Sequence, residues 1–241
     1  MQRTRKVITA ALASIAGLTF GLHAALAQDA SAPGEYQFFV TPYLWLASVH
    51  ATTLTPLARE PEVNSNISTI HLLSHLDGAP FMGSMEVRYG RLGFLADAIH
   101  LPVSTNITTH DIFFQGGSAA LNANTGTGMV LYREFEDPIQ FIDAGLGFRA
   151  WGFSSRLALN AGLLPGVSVT PGGGWTDPLI GARYHRDLGN GLGLTAYGDF
   201  GGFGVGAHTD WQVMGTVDYS LNPSWNLHLG YRSLNFNITG S

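Results

Sequence analysis

Acidic residues and arginines recur at alternate positions along several segments of this chain. The acids at such positions are Glu86, Asp97, Asp143, Asp177, Asp199 and Asp218, and the arginines are Arg88, Arg133, Arg149, Arg183 and Arg232. Side chains two residues apart lie on the same face of a β-strand, so we expect these groups to share one face. Carboxylates and guanidinium groups that face one another form ion pairs, or they line a path for ions and small solutes.

Two further motifs resemble binding sites. His71 and His75 have a helical spacing that can hold a metal ion, but neither a cysteine nor a third histidine stands close by in the sequence. The glycine-rich run from Gly202 to Gly206 resembles a phosphate-binding loop, yet it lies between two predicted strands and no helix follows it. We therefore predict a solvated histidine pair, a flexible hairpin, no metal site and no cofactor.

Two histidines have neighbours of the kind that hydrolases use. His100 stands near Ser104, and His185 stands near Asp187. Neither pair supplies an ordered nucleophile, base and orienting group, which acyl transfer requires. We predict no catalytic residues, and an enzyme that modifies lipid or peptide stays an alternative.

Composition excludes several classes of function. The chain has 241 residues, only 12% of them charged, with a net charge of −5 and no cysteine. The absence of sulfhydryl groups rules out disulfides, thiolate metal sites and a cysteine nucleophile. An excess of acids over bases leaves no basic stripe for phosphates, so we predict no nucleic-acid partner.

Hydrophobic residues follow a period of two rather than that of a helix. Between Gln140 and Gly152, for example, Ile142 and Phe148 belong to an apolar set that alternates with Asp143 and Arg149. The same alternation predicts an all-β, antiparallel, up-and-down barrel. Its nine strands are predicted over residues 36–46, 81–89, 92–103, 126–135, 139–153, 175–186, 191–201, 210–219 and 225–236.

Residue types on the two faces favour a transmembrane barrel. Beyond residue 27 every base is an arginine, so a lysine coat typical of a solvated surface is missing. Aromatic residues near strand ends are typical of the girdle at a lipid interface. They are Tyr36, Tyr89, Tyr132, Tyr184, Trp211, Tyr219 and Trp225. A soluble periplasmic lipid-binding barrel is the alternative, and it requires an apolar interior.

The connections alternate between short turns and longer segments, as they do in outer-membrane barrels. The long ones are predicted over residues 47–80, with a short helix near Ser68 to Leu76, over 104–125 and over 154–173. Nine strands leave two unpaired edges, whereas bacterial barrels have an even number. We therefore expect about eight to ten strands, with a closing strand missing.

The amino terminus has the pattern of an export signal. Arg3, Arg5 and Lys6 precede an uncharged stretch from Val7 to Leu22, and Ala25-Leu26-Ala27 is typical of a cleavage site. We predict that residues 1–27 are removed and that residues 28–241 form a single domain.

Five segments resemble a family of poorly characterised proteobacterial outer-membrane β-barrel proteins. They are the TPYLWLA segment at 41–47, the MEVR segment at 85–88, WTDPLIGARY at 175–184, DFGGFGVG at 199–206 and LGYR at 229–232. The resemblance covers nearly all of the chain after residue 27. It implies the outer membrane of a Gram-negative bacterium, contact with lipid, and insertion by periplasmic chaperones and the barrel-assembly machinery. It offers no catalytic residues.

These observations together predict a non-enzymatic integral barrel, either structural or with a narrow channel. In a barrel of this size the interior is only wide enough for side chains or a thin channel. We expect the alternating acids and arginines to fill it as a network of ion pairs.

Overall fold

The described part of the chain consists almost entirely of strands. The computed structural model describes residues 11–25, 36–54, 62–67, 74–107, 114–170 and 172–238. The strands are β1 (Ala11–Ala25), β2 (Tyr36–Leu54), β3 (Glu62–Ile67), β4 (Phe81–Tyr89), β5 (Leu92–Ile107), β6 (Phe114–Asp137), β7 (Gln140–Ala161), β8 (Val167–Val169), β9 (Gly172–Gly189), β10 (Leu192–Gly202), β11 (Thr209–Asn222) and β12 (Trp225–Ile238).

Ten of these strands form a closed antiparallel ring. Neighbours in the ring are hydrogen-bonded in the order β1, β12, β11, β10, β9, β7, β6, β5, β4, β2, and β1 also pairs with β2. The short strands β3 and β8 extend β2 and β7 outside the ring. The predicted antiparallel, up-and-down barrel is confirmed, and each of the nine predicted strands is present.

The position predicted to lack a strand is filled by β1. Its backbone pairs with β12 from Ala11 opposite Ile238 to Ala24 opposite Trp225, and its other edge pairs with β2. Because β1 is antiparallel to both neighbours, β2 and β12 run parallel to each other. The strand lies within the segment predicted to be an export signal, whose cleavage stays a prediction.

Two-residue turns define one end of the barrel. They are Gly90-Arg91, Pro138-Ile139, Asn190-Gly191 and Pro223-Ser224, and we call this the short-turn end. Asn190 and Gly191 both have positive φ, 56° and 77°, which is the backbone of a type I′ hairpin turn. The longer links, between β2 and β4, β5 and β6, β7 and β9, and β10 and β11, meet at the opposite end, the long-connection end.

The long connections contain more sheet than the sequence predicts. Strands β6 and β7 have 24 and 22 residues, about twice what a membrane requires. Their pairing includes residues 117–125 of β6 and extends as far as Gly117 opposite Leu159. These residues lie largely in segments that the sequence predicts to be loops. The short helix predicted near Ser68 to Leu76 is not among the described elements, and residues 68–73 lie outside the described ones.

Among the described residues, no helix combines the length and the apolar character needed to cross a membrane.

The outer surface of the barrel is apolar and the inside carries the charges. On the strands from β2 to β12 whose side chains are described, large hydrophobic side chains are 40 to 70% exposed, among them Phe94, Leu146, Phe148, Ile180, Val213, Val217, Leu229 and Tyr231. Arginines and acids on the alternate positions are buried. This is the inside-out arrangement of a transmembrane barrel and the reverse of the apolar interior that a lipid carrier requires.

Aromatic side chains border the apolar surface at both ends. Those at the short-turn end are Tyr36, Tyr89, Tyr132, Tyr184, Tyr219 and Trp225, and those nearer the other end are Phe81, Phe148, Phe200 and Trp211. Trp211 and Tyr219 are eight residues apart on one strand. That is about 27 Å along the strand, and about 20 Å along the barrel axis for a usual tilt of about 40°.

Closure by β1 can be tested through backbone amide exchange. We expect the full chain refolded in detergent to protect the amides of β12 and β2 more strongly than a chain that begins at Gln28. The reason is that removal of β1 leaves a row of unpaired backbone groups on each of these strands. Hydrogen exchange followed by mass spectrometry measures this, and the β10–β11 ladder is the internal control. Equal protection of β12 in the two chains would contradict closure by β1.

Candidate functional site

The eleven charged residues singled out in the sequence lie inside the ring and form connected groups. The first group, the lower cluster, contains Glu86, Arg88, Arg133, Asp143 and Arg183. Asp143 is fully buried, and its carboxylate accepts hydrogen bonds from all three arginines at 2.6 to 3.1 Å.

The lower cluster ties opposite walls of the barrel together. Arg183 on β9 donates to both carboxylate oxygens of Glu86 on β4, at 2.6 and 2.9 Å, and these strands are separated by three others in the ring. The guanidinium carbon of Arg133 lies 3.8 Å from the ring centre of Phe141. The cluster is therefore held by ion pairs and by stacking on an aromatic face.

A second group, the upper cluster, is centred on Arg149. This side chain is fully buried and donates to Asp199, at 2.7 Å, and to Asp210. Its Nε donates to Thr127 at 3.1 Å. Asp210 also accepts a hydrogen bond from the indole of Trp151 at 2.8 Å. Each nitrogen of this buried guanidinium group therefore has at least one acceptor.

Arg232 links three further parts of the wall. It donates to Tyr43 at 2.8 Å, to Asp97 at 3.2 Å and to Gln212 at 2.7 Å. Tyr43 in turn donates to Asp97 at 2.7 Å. The guanidinium carbon lies 4.9 Å from the ring centre of Trp45. Because β12, β2, β5 and β11 all contribute, this group spans the lumen as well.

Asp218 has its own set of partners near the short-turn end. It accepts hydrogen bonds from Thr195 and from Thr216, the latter at 2.7 Å. His228 lies 2.6 Å away through Nδ1, and the Nδ1 of His185 lies 3.5 Å away. Within the described part of the chain, Asp218 forms no ion pair with any of the five arginines.

The histidine pairs considered as hydrolytic sites have other partners. His185 Nδ1 lies 2.9 Å from the hydroxyl of Thr195, while Asp187 accepts the backbone N–H of Gly189 at 2.7 Å. His100 Nδ1 lies 2.6 Å from Asn124 Oδ1. Thr195 donates to a carboxylate, so its hydroxyl is not poised to give its proton to His185.

Metal binding has no support in the described residues, where no group of three or more histidine, aspartate or glutamate side chains is placed to hold an ion. His75 lies 2.9 Å from the hydroxyl of Ser74, and His71 lies outside the described residues.

An aromatic plug fills the lumen toward the long-connection end. Its buried residues are Trp45, Met82, Ile99, Trp151, Leu234 and Phe236, with Phe153 and Trp175 packed against them. The rings of Trp151 and Phe236 are 4.6 Å apart, and those of Trp151 and Trp175 are 5.8 Å apart. Tightly packed rings leave no room for an aqueous path between them.

The glycine-rich run is anchored to the plug. Asp177 is fully buried, and it accepts the indole N–H of Trp175 at 2.7 Å and the backbone N–H of Ala207 at 2.6 Å. A Cβ added to Gly206 would lie only 2.5 Å from the Trp175 ring. The run is therefore a fitted turn rather than the free hairpin that its composition suggests.

The short-turn half of the lumen contains a cavity of about 620 Å³, which we call the vestibule. Glu136 and Asp187, near the ends of β6 and β9, lie at its rim, and Arg133, Arg183 and Arg232 line its walls. Its size is in the range of small-molecule sites. Among the described side chains, those at the short-turn end leave the lumen open, and the aromatic plug occupies it toward the other end.

Sequence reasoning missed several lumen residues that the same periodicity contains. Trp151 shares the parity of Arg149, and Trp175 shares the parity of Asp177. Asp210 shares the parity of Asp218, and it is the second residue of its strand. Extending each alternation by one step identifies these positions.

Comparisons with known proteins give the chain no family. No family model matches the sequence, and no curated protein matches it. Similar solved structures include the translocator domain of the autotransporter NalP from Neisseria meningitidis, with 10% identity, 93% of this chain and 88% of that chain covered, and a TM-score of 0.28. A BenF-like porin from Pseudomonas fluorescens Pf-5 has 8% identity, coverage of 96% and 98%, and a TM-score of 0.19.

OccK11 (OpdR) from Pseudomonas aeruginosa has 10% identity, coverage of 95% of this chain and 96% of that chain, and a TM-score of 0.19. None of these scores reaches 0.5, so the description of the fold rests on the strand pairing and burial given above.

Removal of the central guanidinium of the upper cluster is expected to destabilise the barrel. Arg149→Leu leaves Asp199 and Asp210 buried without their cation, which costs about 3 kcal/mol or more. For a chain of this size that corresponds to a loss of about 10 °C in melting temperature. The thermal shift of the detergent-solubilised protein measures it, with Arg91→Leu on an exposed turn as the control. Equal melting temperatures for the two variants would refute this role of Arg149.

A side chain at position 206 is expected to displace the glycine-rich turn. Gly206→Val places methyl groups against Trp175 and Asp177, and overpacking of this kind costs about 1 to 3 kcal/mol. Gly215→Ala is the matched control, because a Cβ there meets no atom within 4 Å. Near-ultraviolet circular dichroism reports the tryptophan environment, and we expect it to change only in Gly206→Val. An unchanged spectrum would mean that the turn is not fitted to the plug.

Proposed function

We propose that this protein is an integral outer-membrane β-barrel with a structural, non-enzymatic role and a lumen closed to free diffusion. The observation that carries the proposal is the content of the lumen. Buried arginine–carboxylate groups cross it in the middle, and the aromatic plug fills it toward the long-connection end.

The outer surface supports residence in a membrane. An apolar band about 20 Å high, bordered by aromatic side chains, matches the surface that outer-membrane barrels present to lipid. Lipid is therefore a proposed partner. The predicted export signal at residues 1–27 and the resemblance of the TPYLWLA, WTDPLIGARY, DFGGFGVG and LGYR segments favour the outer membrane of a Gram-negative bacterium, reached with periplasmic chaperones and the barrel-assembly machinery. The ten-strand ring is that of the uncleaved chain, since cleavage after residue 27 would remove β1.

Ion pairs across the lumen suit a structural role. The contact of Arg183 with Glu86 fixes the position of one strand relative to a distant strand along the barrel axis, and so does that of Arg232 with Asp97. A register slip of one residue would turn these charges to the lipid face, where they are costly. We infer that the network specifies register and makes the barrel rigid.

The narrow channel is the second candidate, and the vestibule is the observation that favours it. A path for ions would have to continue from this cavity past Arg149 and between Trp151, Trp175 and Phe236. In the structure these side chains are in contact. A channel therefore requires that the plug rearrange, whereas the structural role requires no change.

The contacts of the polar residues support the non-enzymatic part of this proposal. Within the described part of the chain, the histidines near the lumen contact Thr195, Asp218 and Asn124, and none of these contacts forms a sequence of nucleophile, base and orienting group. An enzyme that modifies lipid or peptide, which is the alternative function, would need a nucleophile, a base and an orienting group together at one rim of the barrel.

Removal of the plug is expected to open the lumen. The double variant Trp175→Ala, Phe236→Ala takes two packed rings from the long-connection end, so we expect conductance across a planar lipid bilayer to rise at least several-fold above the small wild-type value. Trp211→Ala removes an aromatic ring of the outer surface and is the matched control. Wild-type conductance equal to that of the double variant would contradict a closed lumen.

A further inference from the structure

We propose that the vestibule binds a small organic carboxylate at Arg133, and that Glu136 occupies this position in the unliganded protein. This inference goes beyond the structural role proposed above, because a closed barrel needs no ligand. Its failure would leave the proposed role untouched.

The lower cluster has an uneven balance of buried charge. Its three guanidinium groups, those of Arg88, Arg133 and Arg183, face only two buried carboxylates, Glu86 and Asp143. A surplus positive charge at the edge of this buried cluster attracts an anion from the open vestibule.

A third acid, Glu136, contacts the lower cluster and differs from its two buried carboxylates. Glu136 accepts a hydrogen bond from Arg133 Nη1 at 2.8 Å, but its side chain is 55% exposed. It stands one residue before Asp137, the last residue of β6, at the open end of the vestibule. An exposed ion pair contributes little free energy, so Glu136 is an easily displaced occupant.

Arg133 is prepared to receive a carboxylate. Its guanidinium stacks on Phe141 at 3.8 Å, and its Nε is fixed by Asp143 at 2.8 Å. These two contacts hold the group in one orientation, so little side-chain entropy is lost when an acceptor binds. Arg183 lines the same cavity and lies 5.5 Å from the same ring.

The other acids that line the vestibule all have donors. Glu86 and Asp97 accept from Arg183 and Arg232 across the lumen, and the remaining acids accept from groups of the turns and of their own wall. Asp137 accepts the backbone N–H groups of Ile139 and Gln140, at 2.9 and 3.0 Å. Asp187 accepts that of Gly189, and Asp218 is held by Thr195 and Thr216. These bonds direct the acids to the turns and the wall, which favours an anionic ligand near Arg133 over a cationic one.

Succinate is a suitable probe, and succinamide is its neutral counterpart of similar shape. We expect ligand-observed nuclear magnetic resonance of the full chain in detergent micelles to detect succinate and not succinamide. Glu136→Gln removes the internal competitor and is expected to lower the Kd for succinate about fivefold. Glu134→Gln is the matched control, because it deletes the same charge two residues away on the exposed outer side.

Arg133→Gln is expected to abolish binding, with folding checked by the difference in gel mobility between unheated and boiled samples. Equal affinities of Glu136→Gln and Glu134→Gln would overturn the proposal even if Arg133→Gln fails to fold. Binding of succinamide as strong as that of succinate would also overturn it. So would inorganic phosphate that binds more tightly than succinate, since the site would then select a phosphate.

Discussion

A closed sheet of ten strands has to fill its own interior, and in this protein it does so with ions. Since the outer face must be apolar, polar residues can occupy only the alternate, inward positions. Five arginines that face the lumen, four of them buried, are tolerated only if each finds carboxylates or hydroxyls there. Strand register, the cross-lumen contacts and the resistance of the barrel to collapse all depend on these pairs.

The period of two predicted the ring because each membrane-crossing strand has one face in lipid and one in the lumen. It failed beyond the membrane, where β6 and β7 continue as a hairpin through residues predicted to be loops. Both faces of that hairpin can meet water, so its sequence is rich in Ser, Asn, Ala and Gly and no alternation remains. A strand without a buried face carries no signal of this kind.

Alternation along single strands identifies which charged residues face the lumen. It does not identify which of these residues pair with one another. Alternation places Arg149 and Asp199 inside, but only the folded ring shows that they meet. The aromatic plug escaped prediction for a different reason. Tryptophan suits both a lipid interface and a packed interior, so residue type alone did not separate Trp151 inside from Trp225 outside. The glycine-rich run acquires its meaning only from Asp177, which lies on another hairpin.

In the closed barrel proposed above, the vestibule is a compartment with one entrance. Such a cavity equilibrates with the solution on a single side of the membrane, so it neither transmits a flux nor dissipates a gradient, however fast molecules enter and leave. Its occupancy is fixed by the concentration in that solution alone. Under this proposal, only the solution that faces the two-residue turns reaches the polar groups of the interior.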